Sequence, residues 1–404
     1  MEKTKNVALV SPFVNPFSYS NSRVFSVADV LKKNGLLPVI ITANFNHDLK
    51  RKYTKLAEEA LYETILIDVP GYHRNLSIFR VISHIVFAFK VKSLIKCNIS
   101  NYSFVYCTTP STLAPFLLSK LCNRNKMTFV LDVIDLWPES YFVFFEKFKF
   151  LIKFFLFPWS FISKLSYHQS TLVVAESKEY ARYVSQFRKD IVESYYLGVD
   201  IKRQKELLKF STVKLPTKRD DDIWIGYGGS LNNSYDFDVI LSSFLFIQKQ
   251  FTNTKLLFIG GGELETYIMN FIVENKVNGL ITGIIPYPDY LQWLSKCDIA
   301  INSFRKNTLV VHSYKYNDYI AAGCCVLNNL KGETWSSVEE YGIGLNFDYK
   351  YNTLEKCLQK LLSKPQLIEQ CKANSRYFAN NDLSKEHIYT SLFKNINSYI
   401  NRDV

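Results

Sequence analysis

Several features that mark common enzyme classes are missing from this sequence. Its eight cysteines have no C-x-x-C spacing and its six histidines no H-x-x-x-H spacing, so no metal site is expected. Neither a G-x-S-x-G elbow nor a Walker loop with G-K-[ST] occurs, which argues against serine hydrolases and P-loop enzymes. No apolar run approaches the roughly 18 residues of a membrane-spanning helix. Because Met1–Lys5 leads directly into a predicted strand, we expect a cytoplasmic protein without a signal peptide.

Positive charge, in contrast, is abundant. The 404 residues include 49 Lys and Arg against 37 Asp and Glu, a formal net charge of +12. This excess favours an anionic partner: a phosphorylated small molecule, an anionic membrane surface or nucleic acid. Solvated lysines without a partner are the alternative. We expect no nucleic acid, because the basic residues are dispersed and no recognised motif accompanies them.

Short apolar runs alternate with amphipathic segments along the chain. Runs such as Val7–Val10 and Phe104–Cys107 are typical of buried strands, and helical patterns lie between them, including one at about 50–62. This alternation predicts an α/β fold with two doubly wound, Rossmann-like domains and a binding cleft between them. A composition change around Pro216 sets the boundaries. The predicted parts are a first domain at 1–200, a linker at 201–222, a second domain at 223–383 and a helix at 384–404 that crosses back to the first domain.

The segment Asn302–Gly323 combines a strand end, a basic loop and the start of a helix. The loop contains Arg305 and Lys306, and the helix is predicted to begin near His312. Ligands of parallel α/β sheets bind beyond the carboxyl ends of the strands, where helix N-termini attract anions. The candidate binding residues on the first turns of this helix are Ser313, Lys315 and Asp318.

Two glycine-rich turns follow strands of the second domain. Glycines in Gly226–Ser230 would let the backbone approach a phosphate, although a tight strand-to-helix turn also needs glycine for packing. For Gly260–Glu263 we favour the structural role.

Acidic side chains follow a strand of the first domain, at Asp132–Glu139. Because they close the strand, we expect their carboxylates to project from the carboxyl edge of the sheet into the cleft. The alternative is that Asp135 caps the next helix.

The segment Tyr141–Lys164 is rich in phenylalanine and lysine. On a helical wheel it is apolar around most of its circumference, with a narrow lysine stripe that includes Lys149 and Lys153. We predict an interfacial helix, with Phe154 and Phe155 at the acyl boundary and the lysines near anionic headgroups. A core helix and base stacking on the rings are the alternatives.

Together these motifs resemble glycosyltransferase family 4, in the branch that builds bacterial surface polysaccharides such as O-antigen or capsule. The resemblance covers nearly the whole chain and implies the two-domain GT-B fold. The segments that carry it are Ser11–Pro12, Asn21–Arg23, Phe45–Lys50, Asp132–Pro138, Tyr196–Asp200, Gly283–Pro286 and Ser313–Gly323.

The resemblance implies roles for individual positions. Asp318 would hold the nucleotide ribose, and Ser313 and Lys315 would face the donor diphosphate. Asp135 would position the acceptor hydroxyl or remove its proton. The other positions, implied to contact the base, the phosphates or the sugar, are Gly283, Ile284, Gly228, Gly229 and Ser230.

Two departures from the family pattern affect the donor site. Val310 stands where many relatives have a glutamate, and Asn232–Ser234 replace the usual arginine and lysine after the first strand of the second domain. Arg305, Lys306 and Lys315 are the candidates to supply the missing charge. The substitutions leave room for an inactive relative.

The function implied by the resemblance is retaining transfer of a hexosyl or N-acetylhexosaminyl group from a UDP- or GDP-sugar, without metal or cofactor. The implied acceptor is a saccharide linked to undecaprenyl diphosphate, which would place the enzyme at the inner face of the cell membrane. A nucleotide-sugar epimerase on the same fold and a non-catalytic nucleotide-sugar-binding relative are the alternatives.

Overall fold

The computed structural model describes residues 6–17, 22–47, 49–74, 77–139, 149–306, 313–350 and 352–400, with backbone only at 149–153. The chain forms two compact units. Unit 1 comprises Met1–Leu197 with Ile388–Val404, and unit 2 comprises Gly198–His387.

Unit 1 is built on a parallel seven-stranded sheet. Its strands are β1 (Asn6–Val10), β2 (Leu37–Ala43), β5 (Thr64–Ile67), β6 (Tyr102–Thr108), β7 (Phe129–Val133), β8 (Leu172–Ala175) and β9 (Glu193–Ser194). Their order is β5-β2-β1-β6-β7-β8-β9, and a separate antiparallel hairpin joins β3 (Phe45–Asn46) to β4 (Arg51–Lys52). The strands are apolar on both sides because helices cover both faces of the sheet.

The helices of unit 1 are α1 (Arg23–Lys33), α2 (Ile78–Cys97), α3 (Leu113–Arg124), α4 (Lys149–Gln169) and α5 (Lys178–Ser185). Residues of α2 to α5 form one core with one face of the sheet. The opposite face is covered by α1 and by residues 388–400 of the last helix, α14 (Lys385–Ile400), including Leu392 and Ile396.

Unit 2 contains a parallel six-stranded sheet. Its strands are β10 (Ile223–Gly228), β11 (Thr254–Ile259), β12 (Gly279–Ile281), β13 (Ile299–Asn302), β14 (Cys325–Asn328) and β15 (Gly344–Asn346), in the order β12-β11-β10-β13-β14-β15. Its helices are α6 (Ile201–Leu208), α7 (Phe237–Ile247), α8 (Glu265–Glu274), α9 (Tyr287–Leu294), α10 (Tyr314–Ala322), α11 (Glu333–Glu340), α12 (Thr353–Leu362) and α13 (Pro365–Asn380).

The predicted α/β class with two doubly wound parallel sheets is confirmed. In each sheet the winding reverses between two neighbouring strands, β1 and β6 in unit 1 and β10 and β13 in unit 2. Such reversal points are where ligands of this architecture bind, beyond the carboxyl ends of the strands. Within the described residues no helix is long and apolar enough to cross a bilayer.

Two local features differ from the sequence-based expectations. The helix predicted at 50–62 is wrong: the segment contains β4 and a short 3-10 turn, Ala57–Glu59. Leu56 and Leu61 are both exposed, so the segment has no buried apolar face that would stabilise a helix. The residues 201–222, expected as a linker, contain α6 and lie within unit 2.

A buried ion pair lies at the centre of unit 1. Arg23 Nε is 2.5 Å from Asp132 Oδ2, and both side chains are inaccessible to solvent. Arg23 also donates to the Tyr195 carbonyl, and Tyr106 Oη donates to Asp132. The expectation that the Asp132 carboxylate projects into a cleft is therefore wrong, because its hydrogen-bonding partners lie inside the core.

Candidate functional site

The glycine turn at the end of β10 is held by two tyrosines. The Gly228 N–H donates to Tyr319 Oη at 2.8 Å, and the same hydroxyl donates to the Gly228 carbonyl at 3.1 Å. A Cβ on Gly228 would lie 2.7 Å from Tyr290 Oη and 2.8 Å from its Cε2. Glycine is favoured here because a Cβ would collide with the Tyr290 ring unless that ring moved.

The loops that follow β10 and β11 pack backbone against backbone. A Cβ on Gly260 would lie 2.1 Å from the Gly229 carbonyl oxygen, and one on Gly262 would lie 2.5 Å from the Leu231 carbonyl oxygen. Both glycines have positive φ values, +148° and +159°, which disfavour other residues. This close packing supports a structural role for Gly260 and Gly262 and sets the position of Gly229.

Lys315 lies beside this turn in a cage of aromatic rings. Its Nζ donates to Tyr227 Oη at 2.6 Å, lies 3.3 Å from the centre of the Tyr235 ring and 5.7 Å from that of Phe304. A Cβ on Gly229 would lie 3.3 Å from Nζ. The side chain is only 8% exposed, and among the described residues no carboxylate pairs with it. Burial lowers the pKa of Lys315 well below its usual value.

The position of Lys315 follows from the anchoring of α10. Ser313 is the buried N-cap of this helix, and the first turn contains no acidic residue. One turn after Lys315, Tyr319 binds the backbone of Gly228, and Gly323 ends the helix in the left-handed conformation, with φ 75°. The positive end of the helix dipole and the ammonium group therefore lie at the same edge of the sheet, where an anion is favoured.

Asp318, on the same helix, accepts hydrogen bonds from several side chains. Its Oδ1 accepts from Tyr287 Oη at 2.8 Å and from Gln204 Nε2 at 3.2 Å, and Tyr290 also donates to this carboxylate. Burial raises the pKa of Asp318 to about 6, although these donors counteract the shift. These hydrogen bonds hold the carboxylate in one orientation.

The remaining donor-site candidates lie around this centre. Gly283 has a φ of 68°, and the exposed side chain of Ile284 lies against the Gly260–Gly262 loop, since a Cβ on Gly261 would be 2.9 Å from Ile284 Cγ1. The Ser230 carbonyl accepts from Tyr227 Oη at 2.9 Å. Gly229 thus lies against Lys315 and Gly260, and Ile284 lies against the neighbouring Gly261.

The two exposed basic residues of the loop after β13 are placed differently. Arg305 donates from Nε to the Tyr235 carbonyl at 3.2 Å and lies 3.8 Å from Asp238, so part of its charge is already compensated. Lys306 is exposed at the end of the described part of the loop. Val310 lies outside the described residues.

Asp135 lies at the carboxyl edge of the unit 1 sheet, two residues after β7. Its backbone is fixed by Thr109, whose hydroxyl accepts from the Asp135 N–H and donates to the Asp135 carbonyl, both at 3.0 Å. An aromatic cluster lies close by, with the buried His84 ring 5.6 Å from Trp137 and 5.3 Å from Phe13. Burial, assisted by the charge of Arg80, lowers the pKa of His84 to about 3. His84 is therefore neutral and does not serve as a cation here.

Of the segment Tyr141–Lys164, predicted as an interfacial helix, the part from Lys149 onward is helical and belongs to α4, and the part before it lies outside the described residues. Phe154 and Phe155 are each 73% exposed, whereas the side chains of Lys149 and Lys153 lie outside the described residues. Within the described part of the chain, no group of three or more His, Cys, Asp or Glu side chains is placed to bind a metal ion.

Five residues of the unit 2 site were not predicted from the sequence: Tyr227, Tyr235, Tyr287, Tyr290 and Gln204. Nothing in the sequence distinguishes Tyr235, Tyr287 and Tyr290 from the other members of a set of 26. Gln204 lies in the segment expected to be a linker. Only the position of Tyr227, between two glycines of the β10 turn, offered a signal.

Replacing Gly228 by alanine is expected to destabilise unit 2 by about 1–3 kcal/mol, the usual cost of overpacking a tight site. The added methyl group must displace the Tyr290 ring, which donates to Asp318. Thermal unfolding of Gly228→Ala in the wild-type and Tyr290→Ala backgrounds measures this effect. The loss of stability caused by Gly228→Ala should be much smaller in the Tyr290→Ala background, which has no ring to displace. An equal loss in both backgrounds would contradict the steric explanation.

Comparison with solved structures identifies the architecture. HepE (Alr3699) of Anabaena, solved in complex with UDP, superimposes with a TM-score of 0.68 at 12% identity, over 98% of this chain and 100% of that one. A glycosyltransferase from Rickettsia africae superimposes with a TM-score of 0.65 at 14% identity, over 98% of this chain and 99% of that one. A putative UDP-N-acetylglucosamine 2-epimerase from Listeria monocytogenes superimposes with a TM-score of 0.60 at 11% identity, over 99% of this chain and 97% of that one.

These likenesses extend over the full length of the chain, and the fold is GT-B, as predicted. Identities of 11–14% establish the fold alone. No protein-family model matches the sequence, and no curated protein sequence matches it either.

Proposed function

We propose that the protein is a glycosyltransferase that uses a UDP- or GDP-sugar bound at the carboxyl edge of the unit 2 sheet. The observation that carries this proposal is the buried Lys315 ammonium, which has aromatic neighbours and no described carboxylate partner beside the Gly228–Ser230 turn. Burying a cation without a counter-ion is costly, so such a site is expected to be retained for an anionic ligand. A nucleotide diphosphate has the required charge.

The chemistry is transfer of a glycosyl group. The bond between the sugar C1 and the diphosphate oxygen breaks, a bond between C1 and the acceptor oxygen forms, and the acceptor proton passes to a base. Negative charge increases on the departing nucleoside diphosphate, where Lys315 and the N-terminus of α10 would stabilise it. These groups need no reorganisation because Tyr227 and Tyr319 already hold them. Retention of configuration and metal independence are part of the proposal through the family resemblance.

UDP is the first nucleotide to test, since HepE binds it in a structure of the same fold. Asp318 is oriented by Tyr287 and Gln204, which suits a carboxylate that accepts hydrogen bonds from ribose hydroxyls. The exposed Ile284 side chain offers an apolar contact for the base. Ser313 and Ser230 are proposed to contact the phosphates or the sugar.

The proposed acceptor is a lipid-linked saccharide, such as an undecaprenyl-diphosphate oligosaccharide of surface polysaccharide assembly. Asp135 is our candidate for orienting or deprotonating the acceptor hydroxyl. Phe154 and Phe155 on α4 are exposed rings of the kind found on interfacial helices, and they support association with the inner face of the cell membrane.

The test is a calorimetric titration with UDP, GDP and a panel of their sugars, followed by an assay with lipid-linked acceptors. We expect one nucleotide class to bind with a Kd between about 1 µM and 1 mM, the usual range of substrate affinities. Nucleoside diphosphate should then be released only when acceptor is present. Absence of binding across the panel would overturn the proposal.

The same assay separates the alternatives. The Listeria neighbour makes epimerisation the second candidate, and that activity would convert the nucleotide sugar without any acceptor. A non-catalytic relative would bind the nucleotide without turnover on any acceptor.

A further inference from the structure

Several buried polar atoms near the carboxyl edge of the unit 1 sheet have no hydrogen-bonding partner. They belong to four residues, which we call the polar cluster: His84 on α2, Ser111 and Thr112 just before α3, and Trp159 on α4. Both ring nitrogens of His84, the two hydroxyl oxygens and the indole nitrogen lack a partner among the described residues. Folded proteins satisfy the large majority of their buried polar groups, so this cluster requires an explanation.

The polar cluster lies around Trp137, two residues after Asp135. The centre of the Trp137 ring is 5.6 Å from that of His84 and 6.2 Å from that of Trp159. The two hydroxyl residues follow closely on Thr109, whose side chain holds the Asp135 backbone. The polar cluster is therefore next to the residue proposed to act on the acceptor hydroxyl.

The local sequence explains why the Thr112 hydroxyl is left unused. Thr112 is the N-cap residue of α3, and an N-cap hydroxyl usually accepts from the N–H group two or three positions later. The third position is Pro115, which has no N–H group. The Thr112 backbone is also helical, with φ −90° and ψ −37°, whereas a capping residue is usually extended. The hydroxyl therefore does not cap the helix and can bind another group.

His84 has the properties of a residue that binds a neutral polar ligand. Its side chain is buried, with the residue only 4% exposed, whereas the flanking Phe13 and Trp137 are partly exposed. Because burial lowers the pKa of His84 to about 3, its ring is neutral near pH 7. A neutral imidazole offers one donor and one acceptor. Both nitrogens can therefore bind hydroxyl groups, which donate and accept equally well.

The chemistry of the polar cluster favours an uncharged sugar. Sugar hydroxyls would satisfy imidazole, hydroxyl and indole groups together, whereas a hydrocarbon chain would leave them unpaired. An acidic sugar is disfavoured because the carboxylates of Asp135 and Glu139 lie at the same edge of the sheet. Arg80, which lies over the rings of Phe13 and Trp137, compensates one of these two charges.

We infer that the polar cluster binds an uncharged sugar residue of the acceptor, with His84 hydrogen-bonded to its hydroxyl groups. This inference rests on the proposed glycosyltransferase function, and it adds the class of the acceptor sugar and the residues that select it. The C–H groups of the sugar contact the rings of Phe13 and Trp137, and one further hydroxyl is directed toward Asp135 for reaction.

Tryptophan fluorescence tests the inference with simple sugars. Of the five tryptophans, Trp137 and Trp159 belong to unit 1, and Trp224, Trp293 and Trp335 belong to unit 2. The probes are methyl glycosides of glucose, galactose and N-acetylglucosamine, with methyl glucuronide as the acidic counterpart, each added with and without UDP. We expect at least one neutral glycoside to change the emission saturably, with a Kd of roughly 1–10 mM, as is usual for ligands of this size.

Substitutions at position 84 test the role of the imidazole. His84→Leu should weaken binding of that glycoside at least about tenfold, because its hydrogen bonds to the sugar are lost. His84→Gln should recover most of the affinity, since an amide also offers a donor and an acceptor. His168→Leu is the matched control, because His168 is exposed on α4 of the same unit. Without sugar, His84→Leu should be no less stable than the wild type, because it removes a buried group that has no partner.

The outcomes separate this inference from the proposal on which it rests. Reduced stability of His84→Leu with unchanged glycoside affinity would show a structural role and overturn the inference. It also fails if no neutral glycoside binds at concentrations up to about 50 mM, or if methyl glucuronide binds more tightly than every neutral glycoside. UDP affinity, measured on the same samples, should be equal in wild type and His84→Leu. UDP binding without glycoside binding refutes this inference alone, whereas absence of any nucleotide binding removes the glycosyltransferase proposal and the acceptor role with it.

Discussion

Replacing Arg23 by alanine is expected to destabilise unit 1 by about 3–5 kcal/mol, the usual cost of removing one partner from a buried ion pair. Asp132 would be left with a buried negative charge and only the Tyr106 hydroxyl to stabilise it, while the Tyr195 carbonyl would lose its donor. Hydrogen exchange of the amides in β1, β6 and β7, compared between wild type and variant, reports this loss within unit 1.

Two further variants make the Arg23 result interpretable. Arg23→Met/Asp132→Asn removes both charges, and it should recover part of the lost stability because no unpaired charge remains buried. Lys52→Ala breaks an exposed pair with Asp68 in the same unit and should change little. If Arg23→Ala reduced the stability of unit 1 as little as Lys52→Ala, the Arg23–Asp132 pair would not be an important stabilising contact of the core.

The second large effect is expected at Lys315. Lys315→Met should weaken UDP binding about 10- to 100-fold, since a charged hydrogen bond contributes about 1.5–3 kcal/mol. Affinity for uridine should change little, because that ligand has no phosphate. Calorimetric titration of both ligands measures the difference. Lys255→Met is the matched control, because Lys255 also lies over an aromatic ring, Trp224, and belongs to a different part of unit 2.

Stability and proton uptake provide independent tests of the Lys315 site. Because its ammonium is buried without a described carboxylate, Lys315→Met should leave unit 2 equally stable or more stable. Burial lowers the pKa of Lys315, and a bound diphosphate should raise it again. At a pH between the pKa values of Lys315 in the free and in the UDP-bound protein, UDP binding should therefore be accompanied by uptake of a proton. Titrations in buffers with different ionisation enthalpies detect this uptake. A strongly destabilised variant, or unchanged UDP affinity, would contradict the proposed role.

The sheets could be predicted from the sequence because their signal is local. Each buried strand is a short apolar run, and each run is followed by an amphipathic segment, as at Val7–Val10 and α1. The helix at 50–62 was wrong because charge pattern alone does not supply a buried face, and Leu56 and Leu61 remain exposed. Composition around Pro216 suggested a linker, yet Gln204 within it hydrogen-bonds to Asp318.

The details of the site depended on contacts between distant residues. The local sequence around an aspartate at a strand end does not reveal whether its carboxylate faces solvent or the core. Asp132 faces the core because it pairs with a residue 109 positions away. Likewise, the cage around Lys315 is formed by Tyr227 and Tyr235, which are 88 and 80 positions from it. The motif identified the lysine, whereas only the folded chain identifies the groups that control its charge.

The packing of α14 has a consequence for the order in which the chain can fold during synthesis. Residues 198–387 of unit 2 are continuous, so this unit can be completed as soon as they have emerged from the ribosome. Unit 1 begins first, but its core includes Tyr389, Leu392 and Ile396. Until those residues are made, the face of the sheet that α14 covers remains open, and its apolar side chains are exposed to association with other chains.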